Sequence, residues 1–269
     1  VVARYHNPTR THRAVRNGVG AIEMPYGVLR VTGNDRIEYV DDVVTNRVPR
    51  EDGERVYAFL LDPQGRIQTD LWIYNAGEHL LLLTPPGKAS WLAEHWQVFI
   101  EDVEFAVESD AFSTFGVHGP KATEKLASVL TGPAPPDTID TFVRGSFRDV
   151  GVTVVRTGAP TGEVGYEVVC AAEHGHLAFD TLLNYGLNAV PFGWETWNAL
   201  TLEAATPLFE AELTGRIPNE SGVRRALDFE KGCFVGQEVV SRIENRGQPA
   251  NRLVGIQPDA VPDAVAAVM

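Results

Sequence analysis

Lysine is scarce in this chain. It occurs only at positions 88, 121, 125 and 231, and the other 19 of the 23 basic residues are arginine. Acidic residues outnumber basic ones, 36 to 23, which leaves a formal net charge of −13. Nucleic-acid affinity is built on contacts between cations and phosphates, so this balance speaks against a general nucleic-acid binder. An acidic, lysine-poor surface predicts a salt-loving source; a GC-rich genome would explain the lysine deficit equally well. Cysteine is scarcer still. Cys170 and Cys233 are the only two and form no CxxC pair, so no disulfide framework is expected and the count fits a reducing cytoplasm. Long apolar runs are missing as well. Leu80-Leu-Leu-Leu83 is cut off by Thr84-Pro85-Pro86, and the opening Val-Val-Ala-Arg-Tyr-His-Asn-Pro has no apolar secretion core. Neither a membrane span nor a signal peptide is expected. Metal ligands are not grouped either. His174 and His176 point apart on the helix expected for residues 174–187, and no third ligand is spaced to join them.

What is present is an alternation of short strands and helices over 269 residues, enough for one large domain or two small ones with a sizeable core. Residues 13–33 alternate and break at Gly18, Gly20, Gly27 and Gly33, the pattern of short antiparallel strands. Behind Gly33-Asn34-Asp35, the apolar residues Ile37, Val40 and Val44 predict a helix that ends before Thr45-Asn46. Residues 57–61, Asp62-Pro-Gln-Gly65 and residues 66–74 read as strand, turn, strand. Further strands are expected at 80–84, 103–108, 115–118 and 152–156, and helices at 89–96, after Pro120, and at 194–205. Residues 131–138 are the richest in proline and glycine, yet too short to separate independent domains.

Three stretches carry chemistry. On the second strand of the 57–74 hairpin, Arg66, Gln68, Asp70, Trp72 and Tyr74 share one face by period two. A carboxylate set between Gln and an aromatic suits a pocket for a flat, nitrogen-rich ligand; an exposed amphipathic strand fits the pattern as well. In Thr157-Gly-Ala-Pro-Thr-Gly-Glu-Val-Gly-Tyr-Glu-Val-Val169, Glu163 and Glu167 flank a glycine-rich bend. They read either as acceptors for an edge of amino and N–H groups or as a solvated hairpin. The last stretch is Phe229-Glu-Lys-Gly-Cys-Phe-Val-Gly-Gln-Glu-Val-Val-Ser-Arg242, where a glycine-hinged loop opens a helix at Gln237. Cys233 lies two residues from Lys231, whose ammonium would favour the reactive thiolate. Cys233 as a small buried hydrophobe is the other reading.

The run Lys231-Gly232-Cys233-Phe234-x-Gly236-Gln237-Glu238 resembles the signature of the YgfZ family of folate-binding proteins, relatives of the glycine-cleavage T-protein. The likeness extends from residue 13 to residue 256. Asp70 before Leu71 is similar to the functional aspartate of the T-protein hairpin. The loop 157–167 is similar to its Thr-Gly-Tyr-Thr-Gly-Glu-Asp-Gly-(Phe/Tyr)-Glu run, with Ala159-Pro160 and Val164 departing. Thr45-Asn46-Arg47 resembles a Thr-Asn-Asp segment, and Leu202-Glu203-Ala204 part of a helix whose arginine position holds Thr201 here. Arg246-Gly247 resembles the pair that follows the YgfZ motif.

The resemblance implies an α+β fold of intertwined ferredoxin-like lobes around a central folate channel. Residues 1–248 would form the folate-binding domain, and 249–269 the beginning of a truncated C-terminal β-barrel entered by a strand at 251–256. It implies tetrahydrofolate or a one-carbon derivative as ligand, held by Asn46, Tyr57, Asp70, Glu163 and Glu167. Asp70, Cys233 and Lys231 would be the chemically active residues, with Gly232, Gly236, Gln237 and Glu238 completing the motif. The first expectation is a YgfZ-type protein that supports iron–sulfur enzymes. The alternatives are an aminomethyltransferase acting on an aminomethylated lipoyl carrier and an iron–sulfur docking scaffold without folate.

Overall fold

The computed structural model describes residues 2–96 and 102–256. Two sheets organise the α+β fold. A seven-stranded sheet runs, edge to edge, through Val190–Pro191, Gly20–Met24, Phe112–His118, Gly165–Ala171, Val150–Thr157, Phe142–Phe147 and Leu130–Thr131. A five-stranded antiparallel sheet runs through Arg55–Leu61, Ile67–Asn75, Leu80–Thr84, Gly27–Thr32 and Glu104–Val107. The chain starts in the larger sheet, leaves it to build the whole smaller one, and returns through Phe112–His118.

Each sheet is apolar on both faces, for different reasons. On the smaller sheet, Ala58, Leu60, Leu71 and Ile73 point outward and are covered by the helices Arg36–Val43 and Lys88–His95. Alternation turns Tyr57, Phe59, Asp70 and Trp72 to the inner face. There Phe209, Ala226, Phe234 and Val240 of the last third of the chain pack against Tyr57 and Phe59. On the larger sheet, Phe115, Val117, Tyr166 and Val168 bury one face with Leu126, Ala178 and Leu182 of the helices Ala122–Ala127 and Gly175–Asn184. Its inner face carries Ile22 and Met24, covered by Val15, Trp197 and Leu200 of the helices Pro8–Asn17 and Trp194–Glu203. A cluster of Val28, Tyr74, Leu83, Phe142 and Val155 joins the two inner faces.

The expected antiparallel strands over 13–33 hold only in part. Arg13 to Asn17 end a helix, Pro8–Asn17, which Asn7 caps through its side chain with Pro8 in the first turn. The two strands that follow belong to different sheets. Residues 251–256 form no strand; Leu253 N–H donates to the Glu220 carbonyl at 2.9 Å and the segment lies exposed. The rest of the expected barrel, 257–269, falls outside the described residues. Among the described residues no helix is long and apolar enough to cross a membrane.

Of the two glycines in the Cys233 motif, Gly236 has a packing role. Gly236 has φ +80, and a Cβ there would sit 2.6 Å from the Asp62 carbonyl oxygen. The hairpin turn at 62–65 and the start of the helix Gln237–Arg246 therefore touch backbone to backbone. Gly232 has neither positive φ nor a close neighbour.

Candidate functional site

A cavity of about 480 Å³ opens between the inner faces of the two sheets. Asp70 lines it from the smaller sheet, and Glu167 and His118 from the larger one. Trp194 and Trp197 line it from their helix. Phe209 and Glu210 line it from a single π turn, Phe209–Leu213, an irregular turn type common at functional sites.

Asp70 accepts a hydrogen bond from the Tyr57 hydroxyl at 2.6 Å. Burial pushes its pKa up to about 6, against the lowering effect of that hydrogen bond. Burial and the neighbouring Asp70 charge in turn push the Tyr57 phenol well above its ordinary value. The Trp72 ring lies 4.7 Å from the Tyr57 ring, and the Arg225 guanidinium sits over both, at 5.3 and 5.2 Å. The result is a carboxyl that titrates near neutrality beside aromatic surface, a fitting arrangement for proton exchange with a flat ligand.

Glu167 is held differently. Its Oε2 accepts from the Tyr74 hydroxyl at 2.8 Å and pairs with Arg55 Nη1; its Oε1 accepts from the Tyr26 hydroxyl at 3.1 Å. Burial alone would raise its pKa, but the Arg55 charge and the three hydrogen bonds outweigh it and the net shift is downward. Glu167 is therefore a fixed anion. Arg55 comes from the smaller sheet, so this buried pair also ties the sheets together.

Of the residues singled out from sequence, Asp70, Tyr57 and Glu167 meet at the cavity. Glu163 does not line it. It pairs with Arg16 at 3.1 Å, and Arg16 also holds Glu203 at 2.7 Å and the Thr161 carbonyl at 2.7 Å, so this glutamate fastens its loop to two helices. Asn46 donates to the Tyr57 and Arg225 carbonyls at 2.9 and 2.8 Å, bracing the wall from behind. Gly232, Gly236, Gln237 and Glu238 lie outside the lining, as do Cys233 and Lys231.

The expected pairing of Lys231 with Cys233 is corrected by the fold. Cys233 is exposed. The Lys231 side chain is buried, and its ammonium donates to the Val44 and Asn46 carbonyls at 2.9 and 3.3 Å and to the Asp41 carbonyl, with the Asp41 carboxylate 3.4 Å away. A cation near the end of the helix Arg36–Val43 satisfies carbonyls that the helix leaves open. Lys231→Met is thus expected to destabilise the protein by about 2–4 kcal/mol. The rate at which Cys233 reacts with a chromogenic disulfide should stay unchanged in the folded variant. Denaturant melts and a stopped-flow thiol assay check the two halves; a slowed thiol would restore the pairing. Cys170, buried with its thiol pushed up to about 11, should react only on unfolding.

Arg55 behind the cavity wall, and His118, Tyr26 and Arg225 lining it, lie outside the residues singled out from sequence. Arg55 shares the inner face with Tyr57 by the same period-two rule that singled out Asp70, and applying that rule to the first strand of the hairpin finds it. His118, in the apolar run Phe115-Gly-Val-His118, was a visible anomaly. Tyr26 and Arg225 carry no such signal. Among the described residues no cluster of three or more His, Cys, Asp or Glu could hold a metal.

Residues 4–231 match the family model described as the GCVT N-terminal domain. The chain is 30% identical over 257 residues to the aminomethyltransferase of Halalkalibacterium halodurans, covering 91% of this chain and 69% of the relative. It is 30% identical over 264 residues to that of Bacillus subtilis, covering 92% of this chain and 70% of the relative. In fold it is similar to the crystal structure of the glycine cleavage system aminomethyltransferase T of Bartonella henselae. That match has a TM-score of 0.78 at 19% identity and covers 92% of this chain and 69% of that one. With a family model spanning most of its length, the chain belongs to the GCVT N-terminal domain family.

Proposed function

We propose that this protein is a tetrahydrofolate-dependent aminomethyltransferase of the T-protein type. The observation that carries the reading is Asp70: a carboxyl at a cavity wall, hydrogen-bonded to Tyr57 and shifted to about 6, facing a second sheet that presents the anion Glu167. The residues fit a pterin. The cavity volume is in the range of small-molecule sites, aromatic rings offer stacking surface, and two acids offer acceptors to a donor-rich edge. When bound, tetrahydrofolate would supply the nitrogens that take up the one-carbon unit. Asp70 would accept or return the proton at that end, Glu167 would orient the ring through its donors, and Arg225 would lie against the aromatic wall at the mouth. In the overall reaction the carrier's carbon–sulfur bond and the carbon–nitrogen bond to the leaving ammonia break as bonds to folate nitrogen form. The carrier thiol and ammonia are the other products. The relatives named above as aminomethyltransferases support this reading over the YgfZ type.

The exposed Cys233 in its Lys-Gly-Cys-Phe motif favours a second reading, a folate-binding protein that supports iron–sulfur enzymes. A docking scaffold without folate is the third. An aminomethylated lipoyl carrier, incubated with the protein and tetrahydrofolate, separates them. Folate-dependent ammonia release that persists in Cys233→Ala is the expected result. Folate binding without release, together with loss of iron–sulfur complementation in Cys233→Ala, would move the assignment to the second reading. No binding at millimolar folate would leave the scaffold.

A further inference from the structure

The cavity lining is acidic on balance. Asp70, Glu167 and Glu210 line it, and Arg225 is its one arginine or lysine. Arg55 already neutralises Glu167. Arg225 has no such counter-charge. Its neighbour Arg224 pairs with Glu244, whereas no ion pair among the described residues involves Arg225. The guanidinium is nevertheless held in place. It rests over the Tyr57 and Trp72 rings. Asn46 donates to the Arg225 carbonyl at 2.8 Å and the Thr45 hydroxyl to the Ala226 carbonyl at 2.6 Å, so the backbone beneath the side chain is fastened twice. Gly158 gives it room, since a Cβ there would sit 2.4 Å from Arg225 Nη1. Arg225 stays exposed, so a ligand entering the cavity can reach it. Ring contact consumes none of its N–H donors, and their fork matches a carboxylate.

Arg225 and Asp70 mark different parts of the cavity. Burial and Asp70 raise the Tyr57 phenol, and the Arg225 charge pulls it down. Burial raises Asp70 most, and the charge that adds to it is that of Glu210. An anionic group on the Asp70 side would meet two carboxylates; beside Arg225 it meets a free cation. A ligand whose heterocycle is held at Asp70 and which trails an anion therefore has one favourable place to put that anion. Tetrahydrofolate carries carboxylates on a glutamate tail. We infer that Arg225 is a specificity-determining residue that takes a tail carboxylate of the bound ligand, so that the cavity selects a pterin with an anionic tail over the bare heterocycle. The inference rests on the folate reading and deepens it.

The test compares two ligands in two proteins. Arg225→Gln removes a charge at an exposed position, so the variant should melt at the wild-type temperature. Calorimetric titration then sets tetrahydrofolate against 6-methyltetrahydropterin, which has the same heterocycle and no tail. The wild type should prefer tetrahydrofolate by about tenfold or more. In Arg225→Gln the dissociation constant for tetrahydrofolate should rise about tenfold, while that for the tail-less pterin stays unchanged. The aminobenzoyl ring of the tail adds affinity in both proteins, so the charge is read from the difference between them. Arg225→Lys, which keeps the charge and loses the fork, should retain part of the preference. Added KCl should shrink the wild-type preference, because the contact lies at an exposed site. Equal affinity of the wild type for the two ligands overturns the assignment. Unchanged affinity for tetrahydrofolate in Arg225→Gln does so as well, and so does equal weakening toward both ligands, which would make the residue part of the wall. In each of these cases wild-type binding keeps the folate reading. Failure of the wild type to bind either ligand sinks the folate reading and the assignment with it.

Discussion

Asp70→Asn is expected to lower folate-dependent ammonia release by about 10²- to 10⁴-fold and, in the same protein, to raise stability. The first effect follows from the loss of a group that can take and return a proton; an amide of the same shape keeps the contact with Tyr57 but cannot titrate. The second follows from the environment. Asp70 titrates at about 6 in the folded protein against 3.8 for the free side chain, with burial as the main cause. A folded pKa above the unfolded one means that the folded state binds the proton more tightly. Its contribution to stability is complete below about pH 3.8 and is lost as pH rises through about 6. At pH 7 the charged carboxylate costs the fold on the order of 2–3 kcal/mol, by the usual conversion of a shift of that size. Denaturant melts should therefore show the asparagine variant gaining stability at pH 7 and matching the wild type at pH 4. Full transfer activity in the variant would remove Asp70 from the chemistry; a stability gain that is flat with pH would remove the burial account of its shift.

The hairpin that carries Asp70 was the most legible part of the sequence. Its turn contains Pro63 and Gly65, and its two strands alternate, so period two alone assigns Asp70, Trp72 and Tyr74 to one face. The α+β class came with the family resemblance; the alternation of strand and helix periodicities along the chain is compatible with it. What spacing cannot convey is contact over long separations. Glu167 meets Arg55 across 112 positions, and that meeting, rather than the glycine-rich loop around it, decides that this glutamate is a fixed anion. The neighbouring Glu163 has the same loop context, yet the chain folds it onto Arg16 instead. Cys233 and Lys231 failed in the opposite way. Residues two apart share a side in a strand, and here they sit in irregular chain, so one side chain enters the core and the other faces water. The helix Pro8–Asn17 was masked by its polar composition; its start signal, Asn7 before Pro8, was present and stronger than the alternation read into residues 13–33.

The largest loss of stability is expected from Arg55→Met. Arg55 is fully buried, lies 3.8 Å over the Trp72 ring, donates to the Tyr74 hydroxyl at 2.7 Å and neutralises Glu167. Removing it strands a carboxylate in a low-dielectric interior, for which about 3–5 kcal/mol is typical, a large share of a domain's whole stability. Its other partner, Asp140, is exposed enough to be rehydrated and adds little. The pH dependence separates stranded charge from lost packing. In the wild type the Glu167 pKa is lowered, so its contribution is present above the free glutamate value of 4.5 and fades as pH falls through the folded value. In Arg55→Met, burial is opposed only by the hydrogen bonds from Tyr74 and Tyr26, so the Glu167 pKa should rise and acidification neutralises the stranded group. The deficit should therefore be largest at pH 7 and shrink toward pH 4. Arg55→Met combined with Glu167→Met should recover most of the loss, since an apolar pair of similar volume can replace a buried ion pair at little cost. The cycle of the two single variants and the double one would then give a coupling of several kcal/mol. Additive effects would mean that the two charges do not depend on each other, and the floor of the cavity would owe its shape to the aromatic rings alone. A recovered fold in the double variant, tested for tetrahydrofolate binding, then isolates what the Glu167 anion does for the ligand from what it does for the sheets: the expected outcome is a stable protein that no longer binds.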